Sequence, residues 1–118
     1  MAGFSMGGGG AIRLAVKYPD TFCAAASWAA AIGFRRAGAL EEFNEQLREN
    51  AERIRNRVRL LLIVGDKDMT YAGHAPVIAQ LKELKLGYEY EVLEGVGHDL
   101  GRYQSGTGSR LVEFLGRR

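Results

Sequence analysis

The 118 residues contain one cysteine, two prolines and two histidines, and neither sign of charge is in large excess. The lone Cys23 excludes an intrachain disulfide, and so few Cys and His donors argue against a zinc cage. Sixteen Lys and Arg against fourteen Asp and Glu leave a net charge of +2, too small and too dispersed for a nucleic-acid surface. No basic start runs into an apolar segment, and no apolar stretch reaches membrane-spanning length. The expectation is a soluble, cytoplasmic domain with no membrane or nucleic-acid partner. What is present is ordinary for a globular protein: 47 % hydrophobic and 25 % charged residues. With no internal repeat and no linker, residues 1–118 read as one domain, small for a doubly covered sheet.

Hydrophobic spacing predicts an alternation of elements. Ala11, Leu14, Ala15 and Tyr18 recur at helical intervals, and Pro19 closes the segment. The run of small and apolar residues from Phe22 to Ala31, bounded by Asp20 and Gly33, reads as a buried strand because it lies between two amphipathic helices. Leu40, Phe43, Leu47, Ala51, Ile54 and Val58 step as a helix whose Glu and Arg residues form a solvated face. Leu60 to Val64 is a strand buried on both faces, ending at Gly65. Val77, Ile78, Leu81 and Leu84 mark a helix with Pro76 suited to its first turn. Tyr88 to Leu93 alternates like a strand with one wetter face, and Leu111, Val112, Phe114 and Leu115 form a closing helix. Three strands alternating with helices imply a parallel sheet with right-handed crossovers. Its chemistry is expected in the loops beyond the carboxyl ends of the strands.

Those loops hold the residues of chemical interest. Gly3-Phe4-Ser5-Met6-Gly7 matches G-x-S-x-G. A serine on a sharp strand-to-helix turn needs small neighbours two before and two after, and the following helix points its amides at an anion formed there. A phosphate loop would end in Gly-Lys-Ser/Thr, and a dinucleotide fingerprint would follow a strand and precede an acid by some twenty residues; neither pattern fits. A serine hydroxyl needs a histidine base, and the base needs a carboxylate to hold its tautomer. "VGDKD" after the Leu60–Val64 strand supplies the acids Asp66 and Asp68, and "GVGHD" supplies His98. His74 reads as a helix cap or a solvent-facing residue, and Asp99 as pointing elsewhere. Cys23 and Trp28 read as packing residues, and Tyr71 as a pocket wall or a packing residue.

In this order, "GFSMGGGGA", "LLLIVGDKD" and "GVGHDL" resemble the carboxyl-terminal half of an α/β-hydrolase, in particular the esterase group that includes esterase D and the feruloyl and acetyl-xylan esterases. The resemblance implies a three-layer fold with a small, mainly parallel sheet flanked by helices. It implies Ser5 as nucleophile and His98 as base. It also implies Asp68, three residues after the glycine, as the acid in preference to Asp66, and the Met6 amide as an oxyanion donor. The implied reaction is ester hydrolysis through an acyl-enzyme, with no cofactor or metal. With few residues left to build a cap, the acyl pocket is expected to be shallow and short-chain acyl esters to be the favoured substrates. Thioester hydrolysis or acyl transfer would use the same residues, and a non-catalytic half-domain that self-associates would keep them idle.

The sequence also departs from that family. Only Met1 and Ala2 precede Gly3, so the strand leading to the nucleophile is expected to be absent. The loop giving a second oxyanion amide is likewise expected to be absent, and losing one such donor typically costs about 100- to 1000-fold. The Phe22–Ala31 strand is then expected to expose an apolar edge, and copies of the chain to cover it as a homo-oligomer.

Overall fold

In the computed structural model, which describes residues 1–32 and 38–116, strands and helices alternate along the chain. They are β1 (Ala2–Phe4), α1 (Met6–Lys17), β2 (Ala24–Trp28), α2 (Ala39–Arg57), β3 (Arg59–Gly65), α3 (Tyr71–Glu83), β4 (Glu89–Leu93) and α4 (Leu100–Gly116). The sheet has four strands in the order β1-β2-β3-β4, and every neighbouring pair is parallel. Ala2 lies against Ala26, Ser27 against Leu62, and Val64 against Val92.

Strand order explains the layers. When parallel strands are laid down in one direction and each crossover is right-handed, every connecting helix falls on the same face. Ile12 and Val16 of α1, Phe43, Leu47 and Ile54 of α2, and Val77 and Leu81 of α3 accordingly share one buried cluster with Leu60 and Leu62 of β3. Helix α4 follows the last strand, has no crossover to make, and covers the other face. Its Tyr103, Leu111 and Phe114 pack with Leu61 and Ile63. The alternation along β3 divides one apolar strand between two cores. On β4, Glu89 and Glu91 share a face and both pair with Arg110 of α4, Glu89 at 3.1 Å. The alternation predicted one wetter face, but the face carrying Glu89 and Glu91 is half-buried under α4, and the exposed residue of β4 is Val92, on the opposite face.

Several expectations are corrected. The sheet has four strands rather than three, because Ala2–Phe4 forms a short strand whose pairing covers the edge of β2. The apolar run yields a strand only over Ala24–Trp28. Ala29 turns away with φ 51°, so that the Ala31 N–H donates to the Ser5 carbonyl at 3.1 Å. Cys23 is exposed rather than packed. The Gly33 boundary lies outside the described residues. Helix α3 starts at Tyr71, which places Pro76 inside it, beyond the first turn. Helix α4 starts at Leu100, well before the apolar residues that announced it.

Candidate active site

The turn from β1 to α1 is built on Ser5, whose φ of 57° and ψ of −118° lie outside the regions a serine normally adopts. Such a conformation costs roughly 1–3 kcal/mol and persists only when its surroundings hold it. Here the Ser5 N–H donates to the Trp28 carbonyl at 2.9 Å, and its own carbonyl accepts from Gly9 N–H at 2.9 Å and from Ala31 N–H. A Cβ on Gly3 would sit 2.4 Å from the Gly7 backbone, so only glycine fits there. A Cβ on Gly7 would meet nothing within 4 Å, which corrects the expectation that both flanking glycines are sterically required. The Met6 amide opens α1 and is among the first-turn donors that no helical carbonyl can reach.

Beyond β3 the chain turns at Asp68, which is buried. Its Oδ1 accepts from Thr70 N–H at 2.9 Å and from the Thr70 hydroxyl at 2.8 Å, and its Oδ2 accepts from the Tyr103 hydroxyl at 2.7 Å. His98 Nδ1 lies 3.0 Å from Oδ1 and 2.9 Å from Oδ2. Burial alone would raise the Asp68 pKa. The hydrogen bonds from the Thr70 amide, Tyr103, the Thr70 hydroxyl and His98 together outweigh it and hold the carboxyl below its usual range. The group is an anion with its charge already engaged.

His98 sits in the loop between β4 and α4, its side chain a quarter exposed. Its ring packs on Phe4, centroids 4.7 Å apart, and Phe4 is the residue before Ser5. Among the described residues no hydrogen bond joins the imidazole to Ser5 Oγ; its polar contact is Asp68. Close approach of the two loops depends on Gly65, where a Cβ would lie 2.0 Å from the Val96 carbonyl oxygen. The Lys67 N–H then reaches that same oxygen at 3.0 Å.

The remaining candidates lie elsewhere. Asp66 accepts from Gly95 N–H at 2.8 Å, a tie between the acid loop and the histidine loop. Asp99 accepts from the Arg102 amide at the start of α4. His74 is not a cap or a surface residue: it is 2 % exposed within α3. Its Nδ1 donates to the Thr70 carbonyl at 2.8 Å, its ring stacks on Tyr90, and its Nε2 is buried without a partner. Burial keeps its pKa below the usual imidazole value despite the Thr70 carbonyl and the Asp68 charge. Trp28 packs on Tyr103 and donates its indole N–H to the Thr107 hydroxyl at 2.9 Å. Tyr71 is exposed. Among the described residues no cluster of His, Cys, Asp and Glu is arranged to hold a metal.

Two members of the network were missed in the sequence. Thr70 had a local signal, since Asp followed two residues later by Thr is a common side-chain-to-backbone turn. Tyr103 had none, because its position became meaningful only once α4 was seen to begin at Leu100.

Comparison with known proteins gives a consistent picture. The model of the Esterase family, described as "Putative esterase", matches residues 1–110. No curated protein matches the chain. Among solved structures, a ferulic acid esterase superposes with a TM-score of 0.79 at 21 % identity, covering 97 % of this chain and 49 % of its own. The fluorophosphonate-binding serine hydrolase FphF of Staphylococcus aureus superposes at 0.78 with 19 % identity, covering 98 % and 53 %. The enterobactin esterase FES of Shigella flexneri gives 0.73 at 21 %, covering 96 % and 30 %. The chain thus spans about half the length of the first two structures and less than a third of the other. These likenesses show an α/β-hydrolase-type fold.

Proposed function

The chain belongs to the Esterase family, and from that premise we propose that it hydrolyses carboxylic esters, with short-chain acyl esters as substrates, through a Ser5–His98–Asp68 triad. In this reading Ser5 Oγ attacks the ester carbonyl carbon while His98 Nε2 takes the hydroxyl proton. Asp68 stabilises the imidazolium through Nδ1. The Met6 N–H and the positive end of α1 stabilise the tetrahedral oxyanion. Collapse expels the alcohol, which receives the proton from His98. Water, activated by the same imidazole, then cleaves the acyl-serine.

One observation carries the reading. Asp68 holds Nδ1 of a part-exposed histidine whose ring is packed on the residue preceding a strained serine. The Ser5–His98 hydrogen bond belongs to the substrate-bound state, as such contacts are often long without ligand. The test is turnover of p-nitrophenyl acetate by the wild type, Ser5→Ala and His98→Ala proteins. Turnover confined to the wild type is expected; equal rates in all three would refute the proposal.

A further inference from the structure

The hydroxyl of Tyr103 makes a contact with Asp68 that the triad does not use. The side chain is fully buried on the first turn of α4. Its oxygen accepts Gly65 N–H at 2.8 Å and donates to Asp68 Oδ2 at 2.7 Å. Because an amide already occupies an acceptor position on the phenol oxygen, the carboxylate is the partner left for its proton. The ring stands between Phe4, centroids 5.9 Å apart, and Trp28, centroids 6.5 Å apart. Thr107, which receives the Trp28 indole proton, donates its own to the Tyr103 carbonyl at 2.8 Å. One side chain therefore touches the serine strand, the next strand, the end of β3 and the acid.

We infer that Tyr103 is a positioning residue of the hydrolytic site, holding one oxygen of Asp68 in place and drawing off part of the charge that the carboxylate offers to His98. The kinetic half of this inference rests on the ester-hydrolase reading; the electrostatic half does not. Donors to an anion share its negative charge, so each one weakens the attraction left for the others. Tyr103 thereby tempers the pull that Asp68 exerts on His98 Nδ1.

Other groups around the carboxylate are accounted for. His74 approaches from α3 and interacts with the Asp68 charge. Asp66 and Asp99 are engaged by the Gly95 and Arg102 amides. Lys67 and Arg102 are exposed. The side chains of β1 and β2 that pack on Tyr103, Phe4 and Trp28, carry no charge.

The experiment compares the wild type with Tyr103→Phe and with a protein carrying a ring-fluorinated tyrosine at 103, whose hydroxyl is a stronger donor. Two readouts are followed against pH: kcat/KM on p-nitrophenyl acetate, and the His98 ring-proton NMR signals. In Tyr103→Phe the acid limb and the NMR midpoint are expected to move up by roughly half to one pH unit. KM should change little. The fluorinated protein should shift both in the opposite direction, and it carries the test if the phenylalanine variant does not fold. Midpoints that stay in place in the folded variants, with only the melting temperature lowered, would overturn the inference and leave Tyr103 a core residue. An NMR shift in a protein that turns over no ester would instead uphold the electrostatic role and sink the hydrolase reading.

Discussion

The two histidines flank the same turn, Asp68 to Thr70, and share little else. His98 gives Nδ1 to the Asp68 carboxylate and keeps a part-exposed ring at the sheet edge. His74 gives Nδ1 to the Thr70 carbonyl and is sealed between α3 and Tyr90, with Nε2 unpartnered. A carbonyl can orient an imidazole but offers no full charge to an imidazolium, and a sealed ring cannot meet substrate. Partner and access, more than residue type, separate a reagent from a structural group.

The sharpest way to break this contrast is to delete each ring in turn. His98→Ala should lower kcat for an ester substrate by about 10⁴-fold, whereas His74→Ala should keep kcat/KM within roughly tenfold. The His74 variant should instead lose about 2–4 kcal/mol in urea unfolding through the cavity left in the core. Comparable kinetic losses in both would show that the histidines are not divided in this way.

Asp68→Asn should approach the first of those losses. An amide offers one acceptor oxygen where Thr70, Tyr103 and His98 require two, and the Nδ1–H tautomer loses its anion. Steady-state kinetics on the folded variant measures this. Gly65→Ala comes next. Its methyl would run into the Val96 carbonyl, so separation of the acid and histidine loops should cost about 3 kcal/mol of stability along with much of the activity. Chemical denaturation at pH 7 checks it, and an unchanged midpoint would show that the loops tolerate parting.

Acid sensitivity separates His74 from Asp68 by pH. His74 is held neutral, so its folded-state value lies below the unfolded one of about 6.5. Stability from this group is complete above that pH and falls as pH drops through the window beneath it, because the unfolded chain binds the proton more readily. Asp68 is also depressed, so its contribution is present above about 3.9 and is lost as pH falls through its folded value. Melting temperatures of wild type and His74→Phe between pH 7 and 4 should diverge, with the upper drop missing from the variant. Parallel curves would contradict the burial argument. The smallest expected effect is on association. Among the described residues β1, rather than β2, stands at the edge of the sheet; we propose that a second copy pairs there, and light scattering should then show species larger than the monomer.

Much of this was legible in advance where a pattern is local. The α2 and β3 apolar patterns mark their elements closely because burial on one stripe or on both faces dictates the composition. The three loops were legible because glycines and a lone acid or histidine follow apolar runs. The short β1 was not, since three residues carry no period. The start of α4 was not, because Gly101, Gly106 and Gly108 dilute its helical signal. Burial of His74 was hidden by a helix that begins five residues before the proline.

By itself, the sequence determined the alternation of elements, the parallel sheet, and the presence of a serine, an acid and a histidine in loops at strand ends. These follow from periodicity and turn chemistry, which act over a few residues. The family resemblance already favoured Asp68 over Asp66. Only the tertiary structure decided that both Asp68 oxygens meet His98 Nδ1, that the other histidine is sealed in the core, and that Tyr103 closes the carboxylate's shell. Those outcomes depend on how loops thirty or more residues apart settle against one another, within the tolerance of a single methyl group at Gly65.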